Sequence, residues 1–214
     1  MNMKVVGLEH GSYSKILSQT ERILRSGGIV VVPTDTVYGI VGAATSIKAI
    51  AKIFALKRRP QEKVLPIFVK DIATARKYAY ISDAKIKFLE KVWPGSVTVV
   101  FQRKEKLPEI LTGGLNTIGM RIPDYGFLRA LLARLDFPLT QTSANVSGLP
   151  SAKGMGEVKR YFGRSKIKPD FFVDGGEIQG EQSTVVDFTG KNLIVLRTGL
   201  ISRKELDLLL NSVR

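Results

Sequence analysis

The stretch GGIVVVPTDTVYG, residues 27–39, limits more than any other what this chain can become. Ile29, Val30, Val31 and Val32 are β-branched in succession, bounded by a glycine pair and by Pro33. A short, uninterrupted apolar run with such punctuation reads as a strand buried on both faces, the habit of a parallel sheet. It breaks at once into Thr34, Asp35, Thr36 and Tyr38 and closes on Gly39. Open α/β sheets bind small molecules just past the carboxyl ends of their strands. A dry strand that delivers hydroxyls and a carboxylate at that end therefore marks a candidate site. The competing reading is a polar turn in which Asp35 and Thr36 bond their own backbone.

With 214 residues the chain fits one domain, 1–214, able to bury roughly 70% of its unfolded surface. No run approaches the roughly 20 apolar residues of a membrane span, and MNMKVVGLEH lacks a signal peptide's apolar core. The absence of cysteine excludes disulfides, thiolate metal sites and thiol nucleophiles. These features favour the cytoplasm and no membrane partner. Lys and Arg number 33 against 19 Asp and Glu, a net charge of +14. Such a balance attracts polyanions such as nucleic acid, nucleotide phosphates or acidic lipid. A merely solvated cationic face is the plainer alternative.

Helices and strands alternate along the chain. Ile16, Leu17, Ile23 and Leu24 lie on one helical face over 13–26, with Gly27 beyond its end. Ser46 reads as the N-cap of a second helix, which runs into Lys57-Arg58-Arg59-Pro60, where Pro60 pushes Arg59 towards extended backbone. Strands are expected at 64–69, 97–101, 117–122, 137–141 and 171–173, and as a hairpin of 184–188 with 193–196. Asp71 and Ser82 open helices, and further helices carry Leu128, Leu131 and Leu132, and Met155 to Phe162. Ser202 with Glu205 forms a capping box for a last helix with Leu206, Leu209, Leu210 and Val213 apolar. The polar segment 102–116 reads as a mobile loop. The pattern argues one α/β domain on a mixed sheet.

Several chemistries are excluded by what is missing. No Lys is followed by Ser or Thr, so there is no P-loop, and no G-x-G-x-x-G follows a strand. A nucleophile elbow is absent, and the single histidine, His10, precedes the first helix and makes a poor candidate base. Histidine-built metal sites and triads drop out, and no metal-ligating residue set is assigned. An enzyme built from this chain works by positioning and positive charge. Two constellations suit that. Lys57 and Arg59 could clamp phosphate, Lys as a point charge and Arg as a fork held by Pro60, or could simply cap a helix C-terminus. Thr142, Ser143, Asn145, Ser147 and Ser151, with Gly148, bunch hydroxyls and an amide past another strand; a plain Ser/Asn turn is the alternative.

Taken together, PTDTVYG at 33–39, K-x-R-P at 57–60, WPGSVTVVF at 93–101, T-x-x-x-R at 117–121 with Ile122-Pro123, TSANVSG at 142–148, STVVD at 183–187 and LRTG at 196–199 resemble the YrdC-like family of threonylcarbamoyl-AMP synthases. The likeness runs along nearly the whole chain, without room for the further C-terminal domain that some relatives carry. It implies a single-domain α/β sandwich around a twisted mixed β-sheet with a basic concave face. It implies a cytoplasmic nucleotidyltransferase that converts L-threonine, bicarbonate and ATP, with Mg²⁺, to threonylcarbamoyl-adenylate and pyrophosphate. A downstream threonylcarbamoyl-transferase complex then modifies tRNA; contact with tRNA or double-stranded RNA is a further possibility.

Family roles fall on matching positions. Lys57, Arg59, Ser143 and Asn145 resemble the set around ATP that carries catalysis. Thr117, Ser151 and Arg197 resemble further ATP contacts, and Gln61 occupies a position that can touch the nucleotide. Thr36, Arg121 and Ser183 resemble L-threonine contacts, with Gln141 added by spacing; Arg121 would pair with the amino-acid carboxylate. Phe68 stands where many relatives have histidine, and the usual Pro-Leu is shifted to Val64-Leu65-Pro66. The first of these departures bears on the threonine pocket. Two rivals remain: an RNA-binding module using the same basic cavity, disfavoured by the absence of clustered aromatics, and a carbamoyl-transfer domain serving another acceptor.

Overall fold

The computed structural model describes residues 4–8, 13–60 and 62–212. His10, Gln61 and Val213 lie outside them. Eleven strands among the described residues form two mixed sheets rather than one. The five-stranded sheet holds β1 (Val5–Gly7), β2 (Ile29–Val32), β3 (Gly39–Gly42), β8 (Thr142–Ser143) and β9 (Phe171–Asp174), ordered β1-β9-β2-β3-β8. The six-stranded sheet holds β4 (Ile67–Phe68), β5 (Val97–Gln102), β6 (Thr117–Arg121), β7 (Leu139–Thr140), β10 (Thr184–Asp187) and β11 (Ile194–Arg197), ordered β11-β10-β5-β6-β4-β7.

β2 is the doubly buried strand that its residues announce. All four of its side chains are fully buried. Val30 and Val32 face Leu17, Leu24 and Leu128, apolar residues of α1 (Tyr13–Arg25) and α6 (Gly126–Arg134). Ile29 and Val31 join the larger core with Ile50 and Ile53 of α2 (Ile47–Lys57). The period of two thus feeds two apolar layers from one strand. β2 pairs parallel with β9 and antiparallel with β3, so PTDTVY is the connection of a hairpin, not of a crossover to a helix. Asp170 ties the layers together: it accepts from Ile29 N at 2.8 Å and from Lys52 Nζ at 2.6 Å.

The caps follow the sequence. Ser46 accepts from Ala49 N, Asp71 accepts from Thr74 N at the start of α3 (Ile72–Tyr78), and Ser202 and Glu205 close a capping box on α8 (Arg203–Asn211). The helix opened by Ser82 is α4 (Asp83–Val92), and α7 (Met155–Phe162) is present as expected. The segment 102–116 is not an open loop: it carries a one-turn helix α5 (Glu109–Thr112) and sinks Leu107 and Leu111 into the main core. The strand expected at 64–69 shrinks to Ile67–Phe68, because Pro66 has no N–H and Leu65 N donates to Leu111 O at 2.8 Å.

The two sheets share one stretch of chain. Leu139 and Thr140 pair with β4, while Thr142 and Ser143 pair with β3. Gln141, between them, donates its N–H to Pro66 O at 2.7 Å. The seam between the sheets opens onto a cavity lined by Gln141, Thr142 and Ser143.

Candidate functional site

Register in the six-stranded sheet lines up one row across five strands. Val185 of β10 pairs with Arg197 of β11 and with Thr98 of β5. The pairing of β5 with β6 sets Thr98 opposite Arg121, and Arg121 pairs with Phe68 of β4. Side chains opposite one another share a face. Arg197, Val185, Thr98, Arg121 and Phe68 accordingly line one wall of a cavity of about 270 Å³. The other wall comes from the loop after β2 and from the seam: Thr36, Gln141 and Ser143. Arg59 closes the rim. Among the described residues no Asp or Glu lines this cavity, and three arginines do.

Arg121 is 1% exposed. Its Nη2 stands 3.1 Å from Asp35 Oδ1 and donates to Thr36 Oγ1 at 3.4 Å, and its guanidinium lies 5.0 Å from the centre of the Phe68 ring. Asp35 therefore holds one edge of the fork, while Nε on the other edge is buried without a partner. Burial pulls the Arg121 pKa down, Asp35 opposes this and Arg197 adds to it. A guanidinium still keeps its proton. Thr36 is itself locked, sharing a 2.9 Å hydrogen bond with Thr34, whose hydroxyl also donates to Val37 O.

A polar chain runs along the wall. Gln141 Nε2 donates to Thr98 Oγ1 at 3.2 Å, and Thr98 Oγ1 lies 3.0 Å from Ser183 Oγ. Arg197 Nη2 donates to Ser183 O at 2.8 Å, and its Nη1 donates to Gln182 Oε1 at 2.7 Å. Gln182 Nε2 reaches Ser151 Oγ at 3.0 Å. Residues far apart in the chain thus form one connected rim. The LRTG glycine makes it possible, since a Cβ on Gly199 would sit 2.1 Å from Gln182 O.

Lys57 and Ser143, 86 positions apart, meet beneath this cavity. Lys57 is 1% exposed and donates to Ser143 O, to Asn145 O at 2.9 Å and to Asn145 Oδ1 at 2.7 Å. Ser143 Oγ donates to the same Oδ1 at 2.7 Å. Burial pushes the Lys57 ammonium down to about 7, with the Arg59 charge pushing the same way. Helix α2 ends on Arg58, a non-glycine residue in the left-handed region at φ 50°, which turns Arg59 out of the helix. Arg59 Nη2 donates to Val64 O at 2.9 Å, leaving Nε buried and unpartnered.

Of the expected site residues, Thr36, Arg59, Arg121, Gln141, Ser143, Ser183 and Arg197 line the one cavity. Lys57 and Asn145 lie directly under it, and Ser151 touches its rim through Gln182. Thr117 stands at the opposite end of β6, paired with Gln102 and outside the lining. Gln61 is outside the described residues. Reading the residues alone passed over Asp35 as a partner for Arg121, and Thr98 and Gln182 altogether. Thr98 did leave a signal, a hydroxyl inside the apolar run Val97–Phe101.

A family model named Sua5/YciO/YrdC, with the description telomere recombination, matches residues 22–199. The chain belongs to this family. A Methanocaldococcus jannaschii member is 33% identical over 205 residues, 95% of each chain. The threonylcarbamoyl-AMP synthase of Pyrococcus abyssi is 33% identical over 193 residues, 89% of this chain and 56% of that one. The chain thus spans little more than half of that longer relative. The solved structure of P. abyssi Sua5 complexed with L-threonine matches with a TM-score of 0.89 at 30% identity, covering 100% of this chain and 62% of that chain. The Sua5/YciO/YrdC fold accounts for both mixed sheets seen here.

A second, separate hollow of about 420 Å³ is lined by Arg76, Lys77, Lys104 and Lys106 with Ala73 and Tyr78, and by no carboxylate. No helix among the described residues is long and apolar enough to cross a membrane.

Proposed function

We propose that this chain is a threonylcarbamoyl-AMP synthase: a nucleotidyltransferase that makes threonylcarbamoyl-adenylate and pyrophosphate from L-threonine, bicarbonate and Mg-ATP. The observation that carries it is the cavity lined by Arg59, Arg121 and Arg197 and by no carboxylate, with buried, unpartnered Nε atoms on the first two. Buried cationic donors without partners are groups that an anionic ligand would satisfy.

The chemistry asks for such a site. A carbamate oxygen must approach the α-phosphate in line while pyrophosphate leaves, and two anions repel. Fixed cations neutralise that charge and hold the reactants close. Arg121, clamped by Asp35, offers its free edge to the threonine carboxylate. Arg59 and Arg197 meet phosphate oxygens, with Ser143 and Ser151 as hydrogen-bonding groups. Lys57 serves from below by fixing the carbonyls of Ser143 and Asn145. A volume of about 270 Å³ takes an amino acid and its activated carbonyl, with most of the nucleotide over the rim.

Among the described residues no group of three His, Cys, Asp or Glu side chains converges. Magnesium enters this reading as part of the nucleotide substrate. The product would pass to a downstream transferase acting on tRNA. Direct contact with tRNA or double-stranded RNA would find a second cationic surface in the hollow of Arg76, Lys77, Lys104 and Lys106, which shares no residue with the first.

Pyrophosphate release measured with L-threonine, bicarbonate and Mg-ATP should depend on threonine. Arg59→Ala should lower kcat by at least about a hundredfold, the loss typical of one removed transition-state donor. Threonine-independent release would point to another acceptor, and no release at all would leave only a binding role.

A further inference from the structure

Thr98 occupies the middle of the polar chain and has no role in the reaction as proposed. It is 1% exposed, and its methyl faces Gly119, where a Cβ would stand 3.3 Å from Cγ2. With the methyl parked there, the hydroxyl points at Gln141 and Ser183 together. We infer that Thr98 sets the hydrogen-bond polarity of this wall so that the site selects an amino acid with a side-chain hydroxyl. This inference rests on the synthase reading and names the group that makes it specific.

Donors and acceptors can be followed atom by atom. Thr98 Oγ1 accepts from Gln141 Nε2, and with Ser183 Oγ as its one other hydrogen-bond partner it satisfies its own proton by donating there. Ser183 Oγ also accepts from Arg197 Nη2 at 3.4 Å. The Ser183 proton is then left free to donate. At the other end, Gln141 Oε1 is buried with no partner and is free to accept. The wall therefore offers one donor and one acceptor, each a single hydrogen bond away from Thr98.

That pair has one natural complement. A carboxylate needs donors only, and Arg121 supplies them; an ammonium needs acceptors only. A hydroxyl needs one of each. Reversing every bond in the chain would exchange the ends and leave the same pair, because a relay hydroxyl always passes one proton in one direction. Removing the relay lets Gln141 and Ser183 reorient independently. A methyl in place of the ligand's hydroxyl would leave both buried groups unmet, which is the costly case in discrimination.

The experiment compares kcat/KM for L-threonine with that for L-2-aminobutyrate, which lacks only the hydroxyl, in the pyrophosphate assay. Wild type should prefer threonine strongly. Thr98→Val should shrink that preference by at least about tenfold while leaving the KM for ATP in place. Thr98→Ser, which keeps the relay, should restore it. Thr98→Ala reads the same loss should the valine variant not fold, and melting curves identify folded protein. A valine or alanine variant that keeps the wild-type preference overturns the inference, as does a serine variant that loses it as fully as valine. An active wild type that does not distinguish the two amino acids also overturns it while leaving the synthase reading intact. Absence of threonine-dependent release in wild type is the failure of that reading.

Discussion

A lysine ammonium held by three oxygens and shut away from water makes the folded state sensitive to pH. Lys57 is such a group, with burial and the nearby Arg59 charge lowering its pKa from 10.5 to about 7. Between those values the unfolded chain holds more protons at this position than the folded one, so its contribution to unfolding free energy rises with pH. Below about 7 both states are charged, and folding bears the whole cost of burying the ion. Lys57→Met removes the titration and also leaves the carbonyls of Ser143 and Asn145 unmet. Urea unfolding of both proteins at about pH 6 and about pH 9 should show the variant less stable throughout, with a wider gap at the higher pH. A gap that stays level or narrows would mean that the three contacts outweigh the burial. At this scale Lys57, Arg59 and Ser143 were legible as charges or a hydroxyl just past apolar runs, whereas Arg121 and Arg197 entered only through the family likeness. Thr98 left only a weak signal, because one hydroxyl in an apolar strand is ordinary until register sets it beside Val185 in the row that lines the cavity.

The hairpin of β10 and β11 carries two of the cavity's groups, Ser183 and Arg197, and depends on a glycine just beyond it. Gly199 lies so close to the segment entering β10 that an added Cβ would meet Gln182 O at 2.1 Å and the Ser183 carbonyl carbon at 2.6 Å. Those are backbone atoms and cannot swing aside as a side chain can. Gly199→Ala should cost on the order of 2–3 kcal/mol in thermal unfolding and raise the KM for threonine by moving Ser183. Loss of stability without a change in KM would separate the turn from the site. Elements with strong local chemistry were readable in advance: the β2 run, the Ser46 and Asp71 caps and the capping box of α8. β3 was not, because Gly39-Ile40-Val41-Gly42 is too short to show a period and begins where a polar turn ends. The interior packing of 102–116 escaped notice because Leu107 and Leu111 are outnumbered by polar neighbours.

Across the whole molecule, whose net charge is +14, two hollows gather cations. One is the arginine-lined cavity. The other is the hollow of Arg76, Lys77, Lys104 and Lys106, where Lys104 also donates to Arg76 O at 2.9 Å and Arg76 pairs with Asp83 at 2.8 Å. Lys104 lies six residues from Thr98 along β5 and its extension, about 20 Å at strand spacing. Lys77 and Lys106 are both exposed there. If RNA docks on this face, a Lys77→Glu, Lys106→Glu double variant should weaken binding of a tRNA transcript and flatten the log–log salt dependence by about 2. Its threonine-dependent rate should be retained. Fluorescence anisotropy between about 50 and 200 mM salt measures the slope, and an unchanged slope would move the contact elsewhere. That the sheets are two, not one, lay beyond local reading, since only pairing across distant segments decides it.

Five consecutive residues serve both sheets at once: Leu139 and Thr140 hold β4, Thr142 and Ser143 hold β3, and Gln141 stands at the crossing. Side chains alternate sides along such a run, so gaining or losing a single residue would turn Gln141 away and put one of the two pairings out of step. Drift in chain length is therefore tolerable in the loops around the mouth, and forbidden at this crossing.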